Sequence, residues 1–307
     1  MSASTPDRRW FRFETVLGRV NVKLNVEKLA MDNLTVPFVV RRMAGAIGAE
    51  IGGVKLRPDL PDAIIAELRR LWLEHLVLFF RNQELTPREL AAVARRFGEV
   101  VHYPFLKGLD EAPEVIRVAK LEHETVNFGG LWHTDTAYLA EPPMATMLIA
   151  CEVPPHGGDT LFASLYAAYD ALTDGMKQML APLRALNSSS KAEKNRTRED
   201  RAANEPPQVL EAEHPVVRTH PETGRKALYV NSGHTLRFVG MTEAESTPLL
   251  EYLFAHQVRP EFTCRFHWEH RSIAFWDNRC ALHNPINDYH GFRRIMHRVT
   301  VAGDPPR

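Results

Sequence analysis

At positions 262, 264, 266 and 268 the residues Phe, Cys, Phe and Trp alternate with Thr263, Arg265 and His267. Strict period-2 alternation puts the apolar side chains on one face of an extended strand, so this segment belongs to a sheet with one dry face. Further strand-like runs occur at 77–80, 115–118, around Trp132, and at 145–151, 160–162, 272–276 and 295–301. A hairpin is expected where 216–219 and 226–230 flank the turn His220-Pro221-Glu222-Thr223-Gly224. Turn signals such as Glu141-Pro142-Pro143 and Pro154-Pro155-His156-Gly157-Gly158-Asp159 separate the runs. Helical periodicity runs from 61 to 75, twice after Ser164, and from 242 to 256. The tetrad Thr86-Pro87-Arg88-Glu89 is a capping box that opens another helix, ending at Gly98. Many short strands with helices interposed predict a mainly β fold with flanking helices, a jelly-roll barrel and not a parallel α/β sheet.

The chain has 307 residues, enough to bury a substantial core without cross-links. Its 38 basic and 38 acidic side chains balance, which removes the electrostatic case for nucleic acid or a charged membrane surface as partner. A small molecule is the better expectation. Cys151, Cys264 and Cys280 are far apart and form no C-x-x-C pair, in keeping with a reducing cytoplasmic setting. No apolar run has the length of a signal peptide core or a membrane span. Residues 1–36 show no clear period and read as an N-terminal extension of open fold, leaving 37–307 as one domain. Within it, 187–213 is long, charged and poor in apolar residues, and such stretches are either disordered or lids. A lid is the expectation for this one.

Chemistry concentrates in Trp132-His133-Thr134-Asp135 and in Trp276-Asp277-Asn278-Arg279-Cys280-Ala281-Leu282-His283. In a strand, His133 and Asp135 would point to the same face and could grip one ion together. With His283 they make two imidazoles and one carboxylate, the donor set of non-haem Fe(II) oxygenases, which leaves coordination positions open. A 2-oxo acid can chelate there through its keto oxygen and adjacent carboxylate. The far carboxylate of 2-oxoglutarate then needs a planar permanent cation. Arg294, eleven residues after His283, lies on the following strand.

These segments, with Gly157-Gly158-Asp159-Thr160-Leu161 and Arg293-Arg294-Ile295-Met296-His297-Arg298, resemble the 2-oxoglutarate-dependent dioxygenases that include taurine dioxygenase and 2,4-dichlorophenoxyacetate dioxygenase. The resemblance spans roughly residues 39–305. It implies a double-stranded β-helix core, with iron held by His133, Asp135 and His283. By the same likeness Thr160 joins Arg294 on the co-substrate's distal carboxylate, and Trp276 packs beside the metal. Arg298 would face the primary substrate or the inner carboxylate of the co-substrate. Val101-His102-Tyr103-Pro104 resembles the family's substrate-binding histidine segment, which makes His102 or Tyr103 a contact for an anion. Four residues before the first metal-binding histidine, where taurine dioxygenase has asparagine, this chain has Gly129, which argues against taurine itself. The implied reaction uses O2 and 2-oxoglutarate to hydroxylate a small anionic molecule (carboxylate, sulfonate, sulfate ester or phosphonate), releasing succinate and CO2. Cleavage follows where the hydroxylated carbon carries an ether, sulfonate or sulfate ester. Family members often associate, so a homo-oligomer belongs to the expectation.

Two rival classes stand beside this reading: a jelly-roll protein that binds metal or small molecules without turnover, and a zinc hydrolase using the same three ligands. Neither needs a dicarboxylate clamp. His123-Glu124 has Asn127 where a metalloprotease helix would place its second histidine. Among the remaining histidines, His234 after Asn231-Ser232-Gly233 could approach a pocket. Trp72 and Trp268 read as core.

Overall fold

In the computed structural model, which describes residues 8–15, 18–25, 38–193 and 209–307, the strand-like runs at 77–80, 115–118, 145–151, 272–276 and 295–301 join a nine-stranded mixed sheet. Its centre is the antiparallel succession Val77–Phe80, Ile273–Asp277, Ala145–Glu152, Arg294–Val301 and Ala112–Lys120. Alternation sorts these strands into two faces. Leu78, Phe80, Met147, Ile149, Ile273, Phe275, Val299 and Val301 meet Leu68, Trp72, Leu90 and Val93 of the helices Asp62–His75 and Pro87–Arg95. The ring of Trp72 stacks on Phe275 with centroids 4.7 Å apart. The predicted capping box is formed, with Thr86 Oγ1 accepting from Glu89 N and the Glu89 carboxylate accepting from Thr86 N.

The opposite face carries Val77, Phe79, Leu148, Ala150, Ala274, Trp276 and Met296. It packs on a second, antiparallel sheet in which Thr160–Ser164 lies between Thr263–Phe266 and Ala281–Pro285. Phe79 of the first sheet stacks on Phe266 of the second at 4.1 Å. Fully burying a ring of this size contributes roughly 1.5–3 kcal/mol, so the interior between the sheets is a packed core as well as a site. The two sheets form the double-stranded β-helix. A smaller sheet orders Glu211–Pro215, Arg184–Ser188 and Thr235–Phe238, and the helix Glu243–Gln257 covers it through Leu250 and Leu253.

Two expectations change, and two more segments are described in part. The stretch around Trp132 is no strand: only an isolated bridge joins His133 to His283. The alternating run at 262–268 is shorter as a strand, because Pro260–Phe262 forms a 3-10 turn and pairing ends at Phe266. Both ends of 187–213 are ordered, in Arg184–Ser188, Ser190–Glu193 and Glu211–Pro215, with Asn187, Ser188 and Ser189 buried. The middle of the expected lid, 194–208, lies outside the described residues. The extension, placed by itself in Met1–Pro37, pairs Arg8–Thr15 antiparallel with Gly18–Asn25. Val20, Val22 and Leu24 alternate with Arg19, Asn21 and Lys23, a period-2 signal too short to stand out against its irregular flanks. Among the described residues no helix is long and apolar enough to cross a membrane.

Candidate active site

The interior face of the nine-stranded sheet carries the first part of the site. On Arg294–Val301, Arg294, Met296 and Arg298 share one side by the two-residue period, and both arginines are buried there beside Met296. His283 sits on Ala281–Pro285, held in register opposite Phe162. The loop at 131–136 reaches it through a reciprocal backbone bridge: His133 N donates to His283 O (3.1 Å) and His283 N to His133 O (2.9 Å). That bridge brings the two rings to 4.1 Å. One imidazole on a strand and one on a loop thus converge without a shared element.

Asp135 completes the set. Its Oδ1 lies 3.9 Å from His133 Nε2 and 3.8 Å from His283 Nε2. Oδ2 accepts from the Thr146 hydroxyl at 2.6 Å, so only Oδ1 is turned to the imidazoles. Asn278 locks this arrangement: its Nδ2 donates to Thr146 Oγ1, while its Oδ1 accepts from Trp276 Nε1 and from Asp135 N. Burial alone would raise the Asp135 pKa, but Arg298, the two imidazoles and Thr146 outweigh it and hold the carboxyl well below its usual range. Burial lowers both His133 and His283, so each stays neutral near pH 7. His133 Nδ1 must donate to Leu131 O (2.6 Å), because a carbonyl only accepts, and this leaves its Nε2 lone pair free. A neutral nitrogen on each ring and one charged oxygen, mutually within 4.8 Å, are what a divalent cation requires. The residues suit ferrous iron by donor type.

A cavity of about 450 Å³, counting its opening, is lined by His133, His283, Trp276, Thr160, Trp268, Arg294 and Arg298 among others. Trp276 packs at 4.7 Å from the His283 ring. Trp268 Nε1 donates to Thr160 Oγ1 at 2.9 Å. Since indole can only donate, the Thr160 hydroxyl accepts there and its own proton is available to a ligand. Arg294 is 6% exposed, and its Nε and Nη2 have no hydrogen-bond partner. Burial depresses its pKa, which an adjoining carboxylate would reverse. Orphaned guanidinium nitrogens beside a free hydroxyl describe a seat for a carboxylate. Trp268, read from sequence as core, is part of this seat; only its spacing from Phe266 and Cys264 on the inward face points there.

The second cavity, about 740 Å³ with its mouth, shares Phe128, His133 and Arg298 with the first. Tyr103, Phe105, Leu106, Leu131, Tyr138 and His234 line it. Arg298 Nη2 approaches Asp135 Oδ1 at 2.9 Å, and its guanidinium stands 5.1 Å from the Tyr103 ring centroid. His102 is not in this cavity. Its ring is turned outward with Nδ1 donating to Pro113 O, and it borders a separate surface depression. The segment after Val101 leaves the sheet, and of these two residues only Tyr103 lines the larger cavity. Gly129 has φ +76°, and a Cβ there would come within 2.9 Å of the His133 ring. The small residue keeps that imidazole in place.

His220, Asp277 and Cys280 also cluster. Asp277, however, already receives Arg279 through Nε and Nη2 (2.8 and 2.7 Å) and His220 Nε2 at 3.0 Å. A second cation beside that guanidinium would be repelled. The cluster fixes the turn that carries Asn278.

Residues 40–300 match the family model described as taurine catabolism dioxygenase TauD, TfdA family. The alpha-ketoglutarate-dependent sulfate ester dioxygenase of Pseudomonas putida is 35% identical, over 87% of this chain and 90% of that protein. An alkylsulfatase of Acinetobacter baylyi is 32% identical over 89% and 88%. Among solved structures, a taurine dioxygenase from Burkholderia xenovorans has a TM-score of 0.75 at 36% identity, covering 88% of this chain and 92% of that one. AAD-2, in complex with Mn(II) and N-oxalylglycine, has a TM-score of 0.74 at 28% identity, covering 88% and 98%.

Proposed function

Because the chain belongs to the TauD, TfdA family of taurine catabolism dioxygenases, we propose that His133, Asp135 and His283 hold iron and that Arg294 and Thr160 hold the distal carboxylate of 2-oxoglutarate. The enzyme is an Fe(II)- and 2-oxoglutarate-dependent dioxygenase acting on a small anionic organic molecule. The observation that carries the residue assignment is the seat in the smaller cavity: orphaned nitrogens of Arg294 and the Thr160 hydroxyl share one lining with His133 and His283. Neither a zinc hydrolase nor an inert binding protein has use for it.

When bound, iron and 2-oxoglutarate supply dioxygen activation: the co-substrate loses CO2 to become succinate, and one oxygen atom enters a substrate C–H bond as hydroxyl. The protein orients and excludes. Thr146 and Asn278 keep one carboxylate oxygen of Asp135 turned to the histidines. Arg294 and Thr160 fix the tail of the co-substrate. Arg298 and Tyr103 take the anionic group of the substrate, while Phe105, Leu106, Phe128 and Leu131 pack its carbon chain and keep water out. The names of the relatives direct attention to sulfate esters and sulfonates. Where the hydroxylated carbon bears a sulfate ester, the hydroxyl proton leaves, the C–O bond breaks, and an aldehyde and inorganic sulfate separate. The unpaired thiols Cys151, Cys264 and Cys280 support a reducing, cytoplasmic setting.

A panel of alkyl sulfates, alkanesulfonates, phenoxyalkanoates and alkylphosphonates, scored by succinate release, tests this. At least one class should raise release about tenfold or more over the substrate-free rate. Release that stays at the substrate-free rate throughout would contradict the anionic-substrate reading.

A further inference from the structure

His234 lines the larger cavity beside Tyr138, Tyr103 and Arg298, yet neither the metal nor the co-substrate needs it. It is 6% exposed, and its Nδ1 is buried without a hydrogen-bond partner. Its backbone is fixed on both sides: His234 N donates to Asn231 Oδ1 (2.8 Å), and His234 O accepts from Ser188 N (2.9 Å). The turn that carries it is closed by Thr235 N donating to Asn231 O (3.0 Å) and Asn231 N to Thr235 Oγ1 (3.0 Å). Gly233 N and Ser232 Oγ then tie the turn to Trp132 O, next to the metal-binding loop. The imidazole is therefore positioned before any ligand arrives, which lowers the ordering cost of using it.

Packing does not account for an imidazole here. The ring stands edge-on to Tyr138 (4.9 Å) and to His133 (5.7 Å), contacts that a phenyl ring would make equally well. What histidine adds is its two ring nitrogens, and a buried polar atom left unpaired costs about 1–3 kcal/mol. A ligand in the cavity that the residue lines is one partner for that polarity.

The lining limits what that is. Among the described residues that line it, Arg298 is the one cationic side chain and Asp135, turned to the histidines, the one carboxylate. A guanidinium engages two oxygens of an anion side by side, which is all that a carboxylate presents. A sulfate ester offers a third terminal oxygen out of that plane, and a bridging oxygen besides. We propose that His234 is a specificity-determining residue that donates a hydrogen bond to an oxygen beyond the two met by Arg298, so that the cleft selects sulfate esters over carboxylates of equal chain length. This rests on the larger cavity being the substrate site.

The test is calorimetric titration of the anaerobic Fe(II) and 2-oxoglutarate complex with hexyl sulfate and with heptanoate, which carry the same hexyl chain. The native enzyme should bind hexyl sulfate about tenfold more tightly, the worth of one hydrogen bond. His234→Phe should cost hexyl sulfate at least about fivefold and leave heptanoate within about twofold, while His234→Gln, which keeps an N–H donor, should recover much of the loss. Affinity for 2-oxoglutarate, measured first in the same cell, should be unchanged in each variant. If His234→Phe does not fold, His234→Leu is read in its place. Absence of head-group preference in the native enzyme, or equal weakening of both probes in the variants, overturns the inference and leaves the enzyme reading standing. Failure of 2-oxoglutarate to bind the Fe(II) protein would sink both.

Discussion

The two cavities meet at His133 and Arg298 but are built from different material. The smaller one is walled by paired strands: Thr160, His283 and Arg294 each lie on a strand with neighbours in register on both sides or on its edge. Sheet spacing fixes those side chains to within a fraction of a residue. The larger one is walled mostly by connections, including Tyr103, Phe105, the stretch 128–131, Tyr138 and the turn at 233–234. The lesson is that the invariable half of the reaction, metal and co-substrate, rests on the rigid part of the fold. The half that chooses a substrate rests on segments that can change without disturbing the sheets.

The sharpest way to break this division is at Arg294. Replacing it with Met should raise the KM for 2-oxoglutarate on the order of a hundredfold, as loss of a buried charged hydrogen-bond partner does, with the KM for the primary substrate little changed. Equal effects on both would merge the two cavities functionally.

A smaller effect concerns stability on the loop side. His214 Nε2 donates to Leu139 O, just beyond the metal-binding loop, and burial pushes its pKa down to about 4. Below its ordinary value of 6.5 the unfolded chain takes up a proton that the folded protein refuses, so stability falls with pH in the window from 6.5 to 4. His214 should contribute about 2 kcal/mol of the loss at pH 5 relative to pH 7, read by urea unfolding, and His214→Gln should reduce the slope by that share. A slope unchanged in that variant would assign the acid sensitivity elsewhere.

Trp268→Phe keeps the ring and removes the donor to Thr160. Affinity for 2-oxoglutarate should drop roughly tenfold, with the substrate unaffected. An unchanged value would mean that the threonine needs no orienting. Smallest of all, Tyr103→Phe should raise the KM for the substrate about fivefold, whereas His102→Ala should stay within about twofold. The reverse order would restore the outward-facing histidine as the anion contact.

The same division separates what is legible in the amino-acid sequence from what is not. The strand-like runs at 77–80, 145–151, 272–276 and 295–301 match strands in the fold, since a short strand covered on both faces reads as a run of apolar and β-branched residues. His133, Asp135, His283, Thr160, Arg294 and Arg298 are legible as a set, and the structure brings all six to one interior. The features that stay hidden lie off the strands. Choosing between His102 and Tyr103 requires knowing which way one irregular residue faces, and period-2 logic stops where the strand does. Spacing alone would put His133 and Asp135 on one strand face, but they converge through a loop clamped by the bridge to His283 and by Asn278. Trp268 and His234 leave only weak signals in sequence, a two-residue spacing and a position after a turn, because their roles depend on single nitrogen atoms.

The central claim is that three side chains gather one iron with a 2-oxo acid beside it. Anaerobic addition of Fe(II) and then 2-oxoglutarate, followed by visible absorption, tests it most directly. A weak lilac charge-transfer band saturating at one equivalent of each is the result expected, lost in His283→Ala. Iron bound at one equivalent with no band on adding 2-oxoglutarate would contradict the account.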